Sequence, residues 1–370
     1  MPNNHTIQKS IATKLQPFYE PAEANAIARL LFDFVSEKYK NQSSLQLNYS
    51  LTEDDHIFIE NTIVRLLNSE PLQYITGECW FRNFRLNVGP SVLIPRPETE
   101  ELVQRIINDI ILIQKSNLTN VDQDNAGVNY LKDKRSFKIL DIGTGSGCIA
   151  IALKKAIPYA DVVAMDVSEA ALSIAKANAA NLGTKVNFIC DNILNLTYKP
   201  GYSSFDCIVS NPPYITLSEK DELNANVVKY EPHLALFVDD ENPFLYYDAI
   251  AEFATEHLHN MGSLYFEINQ KYGEELKKKN VFTKSFREAS INMVNAPEAT
   301  QFIYLSKILG IENSIPQFKE LEAQMCDYKE GTKKSPDRMD ALVWGLTELM
   351  KLSGGGGQLT VKRGSGVWRG

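Results

Sequence analysis

The sequence predicts an α/β chain: a parallel sheet with helices on both faces, preceded by a helical region. Three observations carry this. Residues 1–73 show helical spacing of apolar positions. From Phe137 onward, short apolar runs alternate with helical patterns, the rhythm of a parallel sheet. The first of those runs leads straight into a glycine-rich turn, Gly143-Thr144-Gly145-Ser146-Gly147.

In Ala22–Lys40, apolar residues recur at Ala26, Ile27, Leu30, Leu31, Phe34 and Val35, one face of a helix. Pro21 stands near its start, where a missing N–H costs little. A second helix begins after Thr52, with Glu53 and Asp54 in its first turn. Tyr74–Ile94 is rich in aromatic and β-branched residues, with Gly77 and Gly89-Pro90 as turns, and reads as a β-hairpin. A helix resumes over Glu98–Gln114, and the polar stretch Lys115–Lys134 reads as a surface loop. Strands are expected at Phe137–Ile142, Asp161–Met165, Val186–Cys190, Phe205–Ser210 and Ser263–Ile268, with helices at Cys148–Ala156 and Glu169–Leu182. Gln301–Leu305 is a candidate last strand.

Composition narrows the function. Hydrophobic residues make up 44% and charged residues 23% of the 370, an ordinary globular balance. No apolar stretch reaches the roughly 18 residues of a membrane helix, and the polar N-terminus lacks a signal-peptide core. No membrane association and a cytoplasmic location are therefore expected. Five scattered cysteines form no CxxC pair, which suits reduced thiols and no metal site. A net charge of −8 argues against nonspecific nucleic-acid binding, which needs a basic face.

The glycine loop sits at the carboxyl end of the first strand, where open α/β sheets bind ligands. Its spacing is not the dinucleotide fingerprint, and no Gly-Lys-Ser/Thr follows to make a phosphate loop. Asp166, at the end of the second strand and roughly twenty residues on, suits ribose hydroxyls. Its bland alternative is a turn in which Ser168 caps the next helix. Asp191-Asn192 ends the third strand; it suits an adenine amino group or, equally, an ordinary turn. The fourth strand ends in Asn211-Pro212-Pro213-Tyr214. The prolines remove two donors and stiffen the chain, leaving the Asn211 side-chain oxygen and the Pro212 carbonyl as acceptors. That array suits a planar NH2 group, and Tyr214 offers an aromatic face to it or to a cation. The alternative is a rigid loop without chemistry.

These motifs give residues 20–270 a resemblance to the release-factor glutamine methyltransferases of the PrmC/HemK type. It rests on Pro71–Gly77, on Leu93-Ile94-Pro95-Arg96-Pro97-Glu98-Thr99-Glu100, on Asp141–Gly147 and on Asn211–Tyr214. The resemblance implies a Rossmann-like, seven-stranded, S-adenosyl-L-methionine-dependent methyltransferase. It divides the chain into a helical substrate-binding domain at 1–73, a hairpin linker at 74–97 and a methyltransferase domain at 98–310. The implied reaction methylates the side-chain amide nitrogen of the glutamine in the Gly-Gly-Gln loop of peptide chain release factors. An amide nitrogen is a poor nucleophile, so Asn211 and the Pro212 carbonyl are expected to hold it while Pro213 and Tyr214 pack the substrate. Gly143, Thr144, Gly145, Ser146, Gly147, Asp166, Asn192 and Asn211 are the expected cofactor contacts. Tyr230–Leu236 also resembles a family segment; Glu231 either orients the catalytic loop or occupies a surface turn. Arg96 and Glu98 are either substrate contacts or ion-pair members. Asn-Pro-Pro-Tyr also marks adenine-N6 methyltransferases, which leaves that activity as the alternative. A noncatalytic binding protein is a further one.

The likeness weakens over Asn292–Thr300 and ends after Gly310. Ser335–Trp344 resembles the end of a phage terminase nuclease domain, with Asp340 in the place of a metal ligand. One carboxylate cannot hold a two-metal site, so no nuclease activity is expected of residues 311–370.

Overall fold

The computed structural model describes residues 4–40, 51–119, 136–196, 204–279, 288–293 and 300–306. The terminase-like segment lies outside these residues, as does most of the polar stretch after residue 114.

The N-terminal region is helical: α1 (Asn4–Leu15), α2 (Pro21–Lys40), α3 (Glu53–Leu67) and the short α4 (Leu72–Thr76). Thr52 caps α3, its side chain accepting from the Asp55 N–H while the Asp55 carboxylate accepts from the Thr52 N–H at 2.8 Å. The helices bury Leu15, Leu31, Ile63 and Leu66 in a core of their own. The expected hairpin is shorter than its aromatic content suggested. Tyr74–Thr76 belongs to α4, and only β1 (Glu78–Phe81) and β2 (Phe84–Asn87) pair. Tyr74 is aromatic for a tertiary reason: its hydroxyl donates to the Val92 carbonyl at 2.6 Å in a buried setting.

Next come α5 (Pro97–Thr119), β3 (Lys138–Ile142), α6 (Cys148–Ala156), β4 (Asp161–Asp166), α7 (Glu169–Asn181), β5 (Asn187–Cys190) and β6 (Phe205–Ser210). The helix α5 runs into the stretch read as loop. After β6 lie β7 (Ile215–Thr216), α8 (Ala225–Tyr230), β8 (Phe237–Val238), α9 (Leu245–His257), β9 (Leu258–Asn269), α10 (Gly273–Lys278), β10 (Glu288–Met293) and β11 (Thr300–Ser306).

The main sheet has seven strands in the order β10-β11-β9-β6-β3-β4-β5. The five from β9 to β5 are parallel, as the alternation predicted. The closing strands β10 and β11 are antiparallel. Their connection is too short for the crossover a parallel pair needs. Successive strand residues feed opposite faces. Ile139, Cys207, Val209 and Tyr265 pack with α5 and α6, whereas Leu140, Ile208, Leu264 and Phe266 pack with α9. The helix α5 also joins the hairpin to the sheet, because Leu102 and Ile106 share a core with Phe81, Phe84 and Leu86.

Strand order reverses beside β3, with β4 on one side and β6 on the other. Ile142 at the end of β3 stands beside Ser210 at the end of β6, and the Ser210 hydroxyl donates to the Ile142 carbonyl at 2.7 Å. The loops leaving the two strands therefore emerge side by side at the switch point, where such sheets bind ligands.

Leu102 is fully buried between hairpin and sheet. Leu102→Ala should lower the unfolding free energy by about 2–5 kcal/mol in a urea titration. A change within about 0.5 kcal/mol, the range of ordinary surface substitutions, would mean the hairpin does not depend on that core.

Candidate active site

The glycine loop is built from its backbone outward. Gly143, Gly145 and Gly147 all have positive φ (73°, 54° and 82°), which a side chain disfavours. A Cβ at Gly143 or Gly145 would meet nothing within 4 Å, so the loop borders open space. At Gly147 a Cβ would stand 3.2 Å from the Ala175 Cβ and 3.1 Å from the Ile151 Cδ1. Gly147 thus serves the close packing of α6 on α7, and it does not line the cavity beside the loop. The loop is anchored by the Gly143 and Thr144 N–H groups, which donate to the Met165 carbonyl at 2.8 and 3.0 Å.

Beneath it lies Asp141, fully buried. Its Oδ2 accepts from the Thr144 hydroxyl at 2.6 Å and from the Ala150 N–H at 3.1 Å, tying the loop to the first turn of α6. Burial pushes its carboxyl up to about 7, against the lowering effect of those two donors.

The cavity beside the loop has a volume of about 350 Å3, within the range of small-molecule sites. Gly143–Ser146, Asp166, Asn192 and Asn211–Pro213 all line it. Asp166 takes part in the turn that the sequence allowed, and it also lines the cavity. Its Oδ2 accepts from the Gly145 N–H at 2.8 Å and its Oδ1 from the Ser168 N–H at 2.9 Å. Ser168 does cap α7. Each carboxylate oxygen keeps lone-pair capacity, and Asp166 faces the cavity. Burial raises its pKa. Asn192 is partly committed to its own turn, its Oδ1 accepting from the Leu194 N–H at 3.0 Å, though it also borders the cavity. An open glycine cradle beside the half-buried Asp166 carboxylate fits the sugar and amino-acid portions of S-adenosyl-L-methionine.

A second opening of about 980 Å3 adjoins the first. Asn211, Arg96, Leu93 and Ala235 line both. Tyr214 lines only the second, so the tetrapeptide is split: Pro212 and Pro213 face the first opening and Tyr214 the other. The Tyr214 hydroxyl donates to the Glu267 Oε1 at 3.3 Å.

Glu231 is buried, not part of a surface turn. It accepts from the Ile94 N–H at 3.1 Å and pairs with Arg96 at 2.5 Å, clamping the Leu93–Pro97 segment against the chain after α8. Arg96 is therefore an ion-pair member that also borders both openings; Glu98 borders the second.

Three residues of this region were not singled out from the sequence. Asp141 sits inside the apolar first strand, and Glu267 inside the apolar run Leu264–Ile268. A lone acid within such a run is the available signal. Thr99 carried none.

The comparisons with known proteins agree with the geometry. Residues 9–77 match the PrmC N-terminal domain, and residues 122–231 match the methyltransferase small domain. A release factor glutamine methyltransferase of Bacteroides thetaiotaomicron is 43% identical over 268 residues, covering 72% of this chain and 87% of that protein. The chain belongs to the release factor glutamine methyltransferase family. Other family members include that of Flavobacterium psychrophilum, 47% identical over 216 residues, covering 58% of this chain and 69% of the relative. That of Streptococcus pneumoniae is 38% identical over 264 residues, covering 69% and 84%. The membership makes this chain a methyltransferase with S-adenosyl-L-methionine as methyl donor. Among the described residues, no helix is long and apolar enough to cross a membrane, and Cys79, Cys148, Cys190 and Cys207 are free thiols.

Asp141 keeps its proton to about pH 7 when folded, whereas an unperturbed aspartate releases it near 3.8. Its share of stability is then complete below about pH 4 and lost as pH rises through 7. Urea midpoints from pH 4 to 8 should decline less steeply in Asp141→Asn than in the parent. Parallel curves would show that Asp141 does not titrate in this window.

Proposed function

We propose that this family member transfers a methyl group from S-adenosyl-L-methionine to the side-chain amide nitrogen of the glutamine in the Gly-Gly-Gln loop of a peptide chain release factor. The observation that carries the reading is the 43% identity spanning 87% of a release factor glutamine methyltransferase. The position of Asn211 in the wall shared by the two openings supports it.

In this reading the smaller cavity holds the cofactor and the larger opening admits the protein loop. The cofactor, when bound, supplies a methyl group on a sulfonium centre. Gly143–Ser146 leave room for its amino-acid and ribose portions, Asp166 accepts from the ribose hydroxyls, and Asn192 and its neighbours border the adenine. Asn211 Oδ1 and the Pro212 carbonyl accept the two hydrogens of the glutamine NH2, which orients its nitrogen toward the cavity. Their negative partial charges also favour the positive charge that develops on that nitrogen. Pro212 and Pro213 hold this corner rigid, because proline fixes φ and donates no backbone hydrogen bond. Tyr214 walls the substrate side, tethered by its hydroxyl. The linkage of the helical region to the site, through the Tyr230 hydroxyl donating to the Asn68 carbonyl at 3.0 Å, suits a substrate-binding role for residues 1–73. A cytoplasmic setting follows from a substrate of the translation machinery.

Adenine-N6 methylation is the second reading, since it uses the same NH2 geometry. Labelled cofactor, a release factor and a DNA duplex in parallel reactions separate the two. Label should appear on the Gly-Gly-Gln glutamine by mass spectrometry, and Asn211→Ala should lower transfer by at least about 100-fold while cofactor affinity is kept. Label on DNA alone would overturn the assignment, and joint loss of transfer and cofactor binding would remove the role given to Asn211.

A further inference from the structure

Of the buried acids that the reaction as described does not use, Glu267 stands behind Asn211. Glu267 lies in β9 between Phe266 and Ile268 and is 1% exposed. An acid so placed is retained against a large desolvation cost. Its two oxygens accept from different elements. Oε2 takes the Thr99 hydroxyl proton at 2.7 Å, from the first turn of α5. Oε1 takes the Tyr214 hydroxyl at 3.3 Å, from the loop after β6. Thr99 Oγ1 in turn accepts from the Asn211 Nδ2 at 3.4 Å.

This chain of bonds has a direction. A threonine hydroxyl has one proton to give. While a carboxylate takes that proton, only lone pairs face Asn211, so Asn211 must turn its NH2 toward Thr99. Its Oδ1 is then left on the other side, the side that must accept from a substrate amide. We propose that Glu267 and Thr99 form a relay that fixes the amide orientation of Asn211, with Glu267 acting as the carboxylate. Glu267 is a positioning residue in this scheme, and the inference rests on the acceptor role given to Asn211 above.

Protonation reverses the direction. A carboxylic acid at Glu267 can donate to Thr99, which frees the Thr99 proton for Asn211 Oδ1 and turns the amide around. Burial pushes the Glu267 carboxyl up to about 7, against the lowering effect of the Thr99, Tyr214 and Asn211 hydrogen bonds. The other titratable groups facing it are Glu98, which raises it further, Cys148 on α6, and Tyr247 on α9, whose hydroxyl donates to the Glu267 carbonyl at 3.2 Å. The relay is therefore poised to lose its setting as pH falls through neutrality.

The test uses the full chain, labelled S-adenosyl-L-methionine and a bacterial release factor carrying the Gly-Gly-Gln loop. Initial rates are measured from pH 5.5 to 9 for the parent, Glu267→Gln, Thr99→Val, Thr99→Ser and Asn211→Ala, with cofactor affinity followed by calorimetry. The parent kcat should fall below about pH 7 with a one-proton slope. A glutamine at 267 cannot titrate, so Glu267→Gln should show a flat acid limb, and it should lose about 100-fold in kcat if its NH2 is the group that faces Thr99. Thr99→Val should lose a similar factor with cofactor affinity unchanged, and Thr99→Ser should recover most of it. A merely structural role would not remove the acid limb or be rescued by serine. If Asn211→Ala is inactive but Thr99→Val and Glu267→Gln stay within about 3-fold of the parent, the relay is wrong and the acceptor role stands. If Asn211→Ala is active, both fall. Should Glu267→Gln fail to fold, the Thr99 pair decides the matter alone.

Discussion

Everything at this site depends on one strand pairing. The strand β6 lies parallel to β3 on the side away from β4, with Ser210 in register beside Ile142. Both strands end there, and both leave a stiff loop at the same edge. One loop is stiffened by glycines in a backbone region closed to most side chains, the other by two prolines. Stiff loops lose little entropy when a ligand seats against them. The buried Ser210 hydroxyl, bonded across to the Ile142 carbonyl, ties the two strand ends together. A shift of one residue in that register would turn every side chain of β6 to the other face and separate the loops.

Buried acids organise the loops from below. Asp141 holds the glycine loop to α6, Glu231 holds the Leu93–Pro97 segment, and Glu267 gathers Thr99 and Tyr214. Asp141 accepts from Thr144 and Ala150 nearby in the chain, Glu231 from Ile94 and Arg96 of one distant segment, and Glu267 from two distant segments. A carboxylate is suited to this because it offers several acceptor positions in a small volume. Neutral side chains of equal size would bring segments together without fixing which donor faces which. The cost is desolvation, and it shows as raised proton affinity at Asp141 and Glu267. Such perturbed groups tend to gather at functional sites, and here they underlie both openings.

Much of the architecture was legible in residue order. The alternation of strand and helix, the glycine loop after β3 and Asn-Pro-Pro-Tyr after β6 all follow local rules, so they stand where they were expected. The misses have local causes as well. Tyr74–Ile94 looked like a long hairpin because its aromatic residues mimic strand propensity, yet Tyr74 is aromatic to reach the Val92 carbonyl from a helix. At Gly147 a side chain is opposed both by the positive φ and by α6 and α7, a packing constraint that a sequence pattern does not separate from a ligand's. The stretch after Gln114 read as loop because it is polar, and α5 continues through Thr119 because a helix surface is polar too.

By itself the sequence determined the fold class and the glycine and proline motifs at the strand ends, since both are written in periodicity and in the backbone limits of those residues. Only the tertiary structure decided which side chains stand behind those motifs. Thr99 and Glu267 are separated by 168 positions, and no spacing rule connects them. Their contact exists because α5 packs on the sheet face beside β9, and that packing is set by apolar residues such as Leu102, Ile106 and Tyr265. Hydrogen bonds between distant segments are a consequence of how a core closes, which no local pattern encodes.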